Sequence, residues 1–186
     1  YVTTVEAAFG DADYLNRFDV VLLYANHAKI SKPQWQNLKG FVEGGKGFVP
    51  VHCASWCFGN EPEFDQLVGG RFKSHQTGVF TPRTVDGDHV TMLALPLLQA
   101  WDETYYHTKH NPKNRSVLQV RDAMPGDPHN KPEPWTWTRR QGKGRVFYTA
   151  SGHDERVWKQ SAFHDLLKRG ILWSAGDTRK ASYDTF

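Results

Sequence analysis

The sequence predicts a three-layer α/β domain, a mostly parallel sheet with helices on both faces. Three observations carry that expectation. Apolar runs at 18–25, 47–51 and 145–150 have the composition of strands buried on both sides. Amphipathic helical patterns lie between and after them, and a strand–helix–strand order implies parallel pairing. Each run also closes on a polar cluster: Asn26-His27, His52–Ser55 and Ser151–Arg156. Ligands of open α/β sheets sit outside the carboxyl ends of the strands, so the three clusters are expected on one rim.

In chain order, "FDVVLLYAN" (18–26) reads as the first buried strand. "SKPQWQNLKGFVEGG" (31–45) reads as a helix capped by Ser31, with Pro33 in its first turn and Gly44-Gly45 at its end. Trp35, Leu38, Phe41 and Val42 fall on one face. The strand "GFVPV" (47–51) contains Pro50, which lacks an amide donor and points to an edge or an irregular end. "EPEFDQLVGG" (61–70) is a short helix stopped by glycine. "TGVFTPRTV" (77–85), "WDETYYH" (101–107), "SVLQVR" (116–121) and "PWTWTRR" (134–140) are extended. "RVFYTA" (145–150) follows a Gly142–Gly144 turn. In "RVWKQSAFHDLLKRGILWSAG", Trp158, Ala162, Phe163, Leu166, Leu167, Ile171 and Trp173 recur at helical spacing. Residues 1–177 are expected to form one domain, with 178–186 as a C-terminal tail or linker.

Composition narrows the function. The net charge of +3 is spread over scattered basic residues, without the basic stripe of a nucleic-acid binder. No window reaches the roughly 18 apolar residues of a membrane span. Two cysteines four residues apart make no disulfide framework.

Candidate chemistry gathers at the expected rim. His52 ends a buried strand, where it can fix the turn by hydrogen bonds or serve as a general acid or base. Cys53 follows in the pattern H-C-A-S, which lacks the glycines that let a nucleophile take a strained turn, so packing is the stronger reading; Ser55 completes the cluster. In "WDETYYHTKHN" (101–111), an extended chain puts Glu103, Tyr105 and His107 on one face, and His110 follows. In "ASGHDER" (150–156), His153 faces the rim, whereas Asp154 and Glu155 suit the start of the last helix. Trp135 and Trp137 share a strand face and could stack on a sugar ring or pack in the core. His107 and His110 with His52 or His153 offer donors for a metal, but no tight ligand motif is present. No cofactor is implied.

Taken together, "FDVVLLYANH", "GGKGFVPVHCAS", "LVGGRFKSH", "WDETYYHTKHN", "EPWTWTRRQGKGRVFYTASGHDER" and "FHDLLKRGILWSAGD" resemble the trehalose-utilisation (ThuA-like) family over nearly the whole chain. The variant with "KHN" and "GHDER" looks most like ThuA-like domains of large exported bacterial proteins that carry c-type haem domains; this chain has no C-x-x-C-H. The resemblance implies a flavodoxin-like, class I glutamine-amidotransferase-like fold, in which Cys53 takes an elbow-like position without the amidotransferase pattern. It also implies an N-terminal strand and helix that this chain lacks, export to the periplasm or cell surface, and neighbouring domains in a larger polypeptide. The implied ligand is a sugar or keto-sugar. His52, Glu103, His107 and His153 are then the expected acid–base residues. Asn26, His27, Cys53, Ser55, Tyr105, His110, Trp135, Trp137 and Asp154 are expected to line the substrate. A non-catalytic sugar-binding or interaction module, and a His/Cys metal or redox site, are the alternatives.

Overall fold

The computed structural model describes residues 2–127 and 129–177; the tail expected at 178–186 lies outside them. The chain enters through two short helices, α1 (Val5–Gly10) and α2 (Ala12–Asn16), capped by the side chains of Thr4 and Asp11. Strand β1 (Val20–Leu23) leads to helix α3 (Lys32–Glu43). Ser31 and Gln34 form a reciprocal capping box at the start of α3, with Pro33 in the first turn. Strand β2 (Gly47–Pro50) follows and pairs in parallel with β1, Val21 opposite Phe48. β2 is an interior strand, and Pro50 marks its irregular end. Beyond Pro50 only Val51 continues the ladder, as a single bridge to Thr149.

A 3₁₀ turn (His52–Trp56) and helix α4 (Pro62–Val68) come next. The chain then leaves the main sheet through β3 (Arg71–Ser74) and β4 (Thr77–Phe80), touches its far edge at β5 (Arg83–Thr84), and leaves it again through β6 (Ala100–Glu103) and β7 (Tyr106–Thr108). β3 pairs with β7 and β4 with β6, as two antiparallel ribbons. The stretch expected as one extended segment at 101–107 is therefore two strands. At the break, Thr104 donates its amide to the Gln76 carbonyl (2.8 Å), and Tyr105 donates to Glu103 (3.0 Å).

The last third completes the sheet with β8 (Arg115–Arg121), β9 (Glu133–Gln141) and β10 (Gly144–Thr149). The six-stranded order is β1-β2-β10-β9-β8-β5. The expected neighbours 18–25, 47–51 and 145–150 are side by side and parallel. The other half, from β10 to β5, is antiparallel. One helical pattern was expected to end the domain. It is divided into α5 (Glu155–Trp158) and α6 (Ser161–Ser174), because the chain turns extended at Gln160 (ψ 130°).

Alternation along the central strands fills two cores. Phe48, Val146 and Tyr148 face the layer with α1, α3 and α4, while Val49, Val51 and Phe147 face α6. The three-layer architecture follows from this two-sided burial. Among the described residues, no helix is long and apolar enough to cross a membrane.

Candidate active site

The turn after β2 sets the site. His52 has φ +50°, a left-handed conformation that costs a non-glycine residue about 1 kcal/mol or more and tends to mark functional positions. The elbow residue is thus the histidine, and Cys53 follows it. The left-handed backbone turns the His52 ring into the sheet rim. Its side chain is 3% exposed, and Nδ1 lies 2.7 Å from the Ala150 carbonyl at the end of β10. A carbonyl only accepts, so Nδ1 carries the proton. Tyr105 stacks on the ring with centroids 4.3 Å apart.

Nε2 of His52 points at Glu103 Oε2, 3.2 Å away. The other Glu103 oxygen lies 3.3 Å from His153 Nδ1 and 3.3 Å from His75 Nε2. One carboxylate therefore meets three imidazoles contributed by three separate segments. Burial alone would raise the Glu103 carboxyl, but the three imidazoles around it, His52, His153 and His75, bring it below its usual range. His153 and His75 are 38% and 37% exposed, so the group is closed on the His52 side and open to solvent on the other.

The loop after β10 is held for this purpose. Asp102 is buried and accepts the backbone amides of Gly152 (3.0 Å) and His153 (3.2 Å) as well as that of Glu103 (2.8 Å). Gly152 has φ +130°, and a Cβ there would come within 3.5 Å of Phe163, Val51 and His52. Tyr24 at the end of β1 donates to the carbonyls of Gly152 or His153, at 3.0 and 3.1 Å, and the Trp158 indole donates to Gly152.

Of the four residues expected to carry acid–base chemistry, His52, Glu103 and His153 converge and His107 does not. The break at Thr104–Tyr105 turns His107 inward, where its side chain is fully buried. Its Nδ1 and backbone amide meet Glu133 Oε1 at 3.0 and 3.1 Å, and Nε2 lies 3.0 Å from the Tyr148 hydroxyl. Burial pushes His107 below its ordinary value. Burial pushes Glu133 the other way, but the donors on His107 and His110 hold its carboxyl down at about 2. The neutral imidazole therefore donates Nδ1–H to a carboxylate. His110 belongs to this second cluster, with Nε2 3.6 Å from Glu133.

The residues expected to line the substrate divide similarly. Cys53 is partly exposed beside the elbow, but burial and the nearby Cys57 push its thiol up to about 11. Ser55 is buried; its hydroxyl donates to the His52 carbonyl and meets the Tyr148 hydroxyl. Trp135 and Trp137 are fully buried core residues and form no wall of the cleft; their indoles donate to Ser151 and to the Val68 carbonyl. The indole that borders the group is Trp101, with its ring 5.9 Å from His153 and the Arg156 guanidinium over one face. Asp154 caps α5 and pairs with Arg156. Asn26 is exposed on the loop after β1, and His27 turns to Glu6 at 3.6 Å. The first polar cluster, Asn26-His27, therefore does not join the group; from the end of β1 it is Tyr24 that reaches the rim.

His75 escaped sequence reasoning. It sits between two short strands in "SHQT", where no periodicity marks it. A cavity of about 490 Å³ lies elsewhere, between the N-terminal helices and β1, lined by apolar residues such as Val5, Phe9, Leu15 and Ile171. It contains none of the clustered imidazoles or carboxylates.

The family model for trehalose utilisation, ThuA, matches residues 1–174. The chain belongs to the ThuA family. Among solved structures, a protein from Parabacteroides merdae described as ThuA-like superposes with a TM-score of 0.75 at 22% identity, over 87% of this chain and 71% of that one. A second, from Bacteroides uniformis, gives 0.74 at 20% identity, over 93% and 75%. A β-galactosidase from Bacillus circulans sp. alkalophilus gives 0.61 at 15% identity, over 87% of this chain but 23% of that chain. At these identities the structures share the ThuA fold. No curated protein matches the chain. The family places the ThuA domain in carbohydrate-related biology.

Proposed function

We propose that this domain acts on a carbohydrate, a keto-sugar or a glycoside, by acid–base chemistry at Glu103 and its histidines. The observation that carries this reading is one carboxylate within 3.3 Å of three imidazoles, at the carboxyl rim of the parallel strands. Core stability gives no reason to gather such groups, since buried polar atoms cost free energy unless paired. His153 and His75 are the proton carriers with access to a ligand. His52, locked to Ala150, borders the carboxylate from behind. Trp101 supplies an apolar border, and the family link to trehalose utilisation supports a sugar as the substrate class.

The test is to incubate the purified domain with trehalose, its 3-keto form and simple glucosides, and follow products by NMR. Turnover by the wild type that falls on the order of 100-fold in Glu103→Gln and in His153→Ala supports the reading. Turnover unchanged in both variants overturns it. Saturable sugar binding without turnover replaces the enzyme with a binding module.

A further inference from the structure

The geometry points to a divalent transition-metal site formed by His52, Glu103 and His153. The first ground is the tautomer of His52. With Nδ1–H committed to the Ala150 carbonyl, a neutral imidazole presents its Nε2 lone pair to Glu103 Oε2 at 3.2 Å. Two acceptors that face each other at this distance need something positive between them. A metal ligand has this arrangement: one ring nitrogen donates to a backbone carbonyl and the other is left for the ion.

The second ground is spacing. An ion bound about 2.0–2.2 Å from nitrogen and oxygen donors puts adjacent donors about 3.0–3.4 Å apart. Glu103 Oε2 lies 3.2 Å from His52 Nε2 and Glu103 Oε1 lies 3.3 Å from His153 Nδ1, so the carboxylate spans the two imidazoles and presents an oxygen to each; one donor from each of the three residues falls within 4.8 Å of the others. The third ground is rigidity on one side and access on the other. Ala150 and Tyr105 fix His52, and Asp102 fixes the backbone of His153. The half-exposed edge at His153 leaves room for a water or a substrate oxygen, as catalytic sites with three protein ligands require. Two imidazoles and one carboxylate favour zinc or a neighbouring first-row ion over magnesium or calcium, which prefer oxygen donors. His75 falls outside the three-donor group and approaches only the carboxylate.

The site shares Glu103 and His153 with the carbohydrate reading, but metal uptake and sugar turnover are read separately, so either can fail alone. Protein stripped with chelator and dialysed is titrated calorimetrically with Zn²⁺, and Co²⁺ is added to read its visible absorption. The expected result is one ion per chain, with d–d bands that report nitrogen and oxygen ligation. Glu103→Gln and His153→Ala each weaken binding on the order of 100-fold, whereas His110→Ala, in the Glu133 cluster, leaves it unchanged. Circular dichroism verifies that each variant is folded. No saturable uptake by the wild type overturns the proposal. Wild-type affinity in both Glu103→Gln and His153→Ala, or loss in His110→Ala alone, also overturns it. Metal uptake without sugar turnover upholds the site and removes the carbohydrate reading. Sugar turnover by metal-free protein that takes up no ion does the reverse.

Discussion

Cys53 stands next to the histidine that takes the elbow conformation, and the difference of one position decides its chemistry. A thiol held at about 11 is protonated at neutral pH, and the thiolate is the nucleophile. Cys53→Ser is therefore expected to leave sugar turnover within about twofold of wild type, and iodoacetamide at pH 7.5 should label Cys53 far more slowly than a free cysteine. The Glu133 carboxylate makes the opposite kind of contribution. Its folded-state value of about 2 lies below the usual 4.5, so its stabilisation is complete above about pH 4.5 and is lost as pH falls toward 2. The difference corresponds to about 3 kcal/mol. Urea melts of wild type and Glu133→Gln should thus differ most at pH 5 to 7 and converge by that amount near pH 2. The sequence made His52, Glu103 and His153 legible because each ends or borders a recognisable strand. It could not reveal His75 or Glu133: each meets its partner through chain pairings 26 or more residues distant, which local periodicity does not encode.

At the scale of elements, close packing of α6 on β10 gives a sharp test. A Cβ at Gly170 would lie 2.4 Å from the Phe147 ring, which is fully buried. Alanine gains about 1 kcal/mol of helix propensity over glycine, but overpacking a rigid core costs about 1–3 kcal/mol. The clash wins, and Gly170→Ala should lower Tm by several degrees. Ser31→Ala removes half of a capping box and should cost about 1 kcal/mol in a denaturant melt. The helices and buried strands were readable because burial imposes periodicity on them. The break at Thr104–Tyr105 was not. Its cause is a long-range pairing with Gln76, and the residues on either side retain the alternation of a single strand. That break is what sends Glu103 to the rim and His107 to the core.

For the whole molecule, the candidate site joins the main sheet to the excursion that carries β3, β4, β6 and β7. Anything bound there is linked to global unfolding. With Zn²⁺ at about 100 times its dissociation constant, stability should rise by about 2.7 kcal/mol, and Tm by roughly 5–10 °C. Glu103→Gln should show no such rise in a thermal melt. The parallel half of the sheet was legible as continuous apolar runs, and the β9–β10 hairpin from its glycine turn. The antiparallel direction of β8 against β9 was not, because strand composition does not encode which neighbour a strand will choose.

The seam between β2 and β10 also sets the order of assembly. His52 and the carbonyl that orients it are 98 positions apart in the chain. Bringing such distant segments together is entropically slow, so contacts of this range tend to form late in folding. At a synthesis rate of about 5–20 residues per second, the elbow histidine emerges from the ribosome some 5–20 s before its partner exists. Through that interval the first strands can pair, but the rim lacks both Ala150 and His153. A nascent or truncated chain that ends before β10 therefore has most of the expected apolar signature and none of the assembled chemistry. The candidate site is complete only when the last third of the polypeptide closes the sheet.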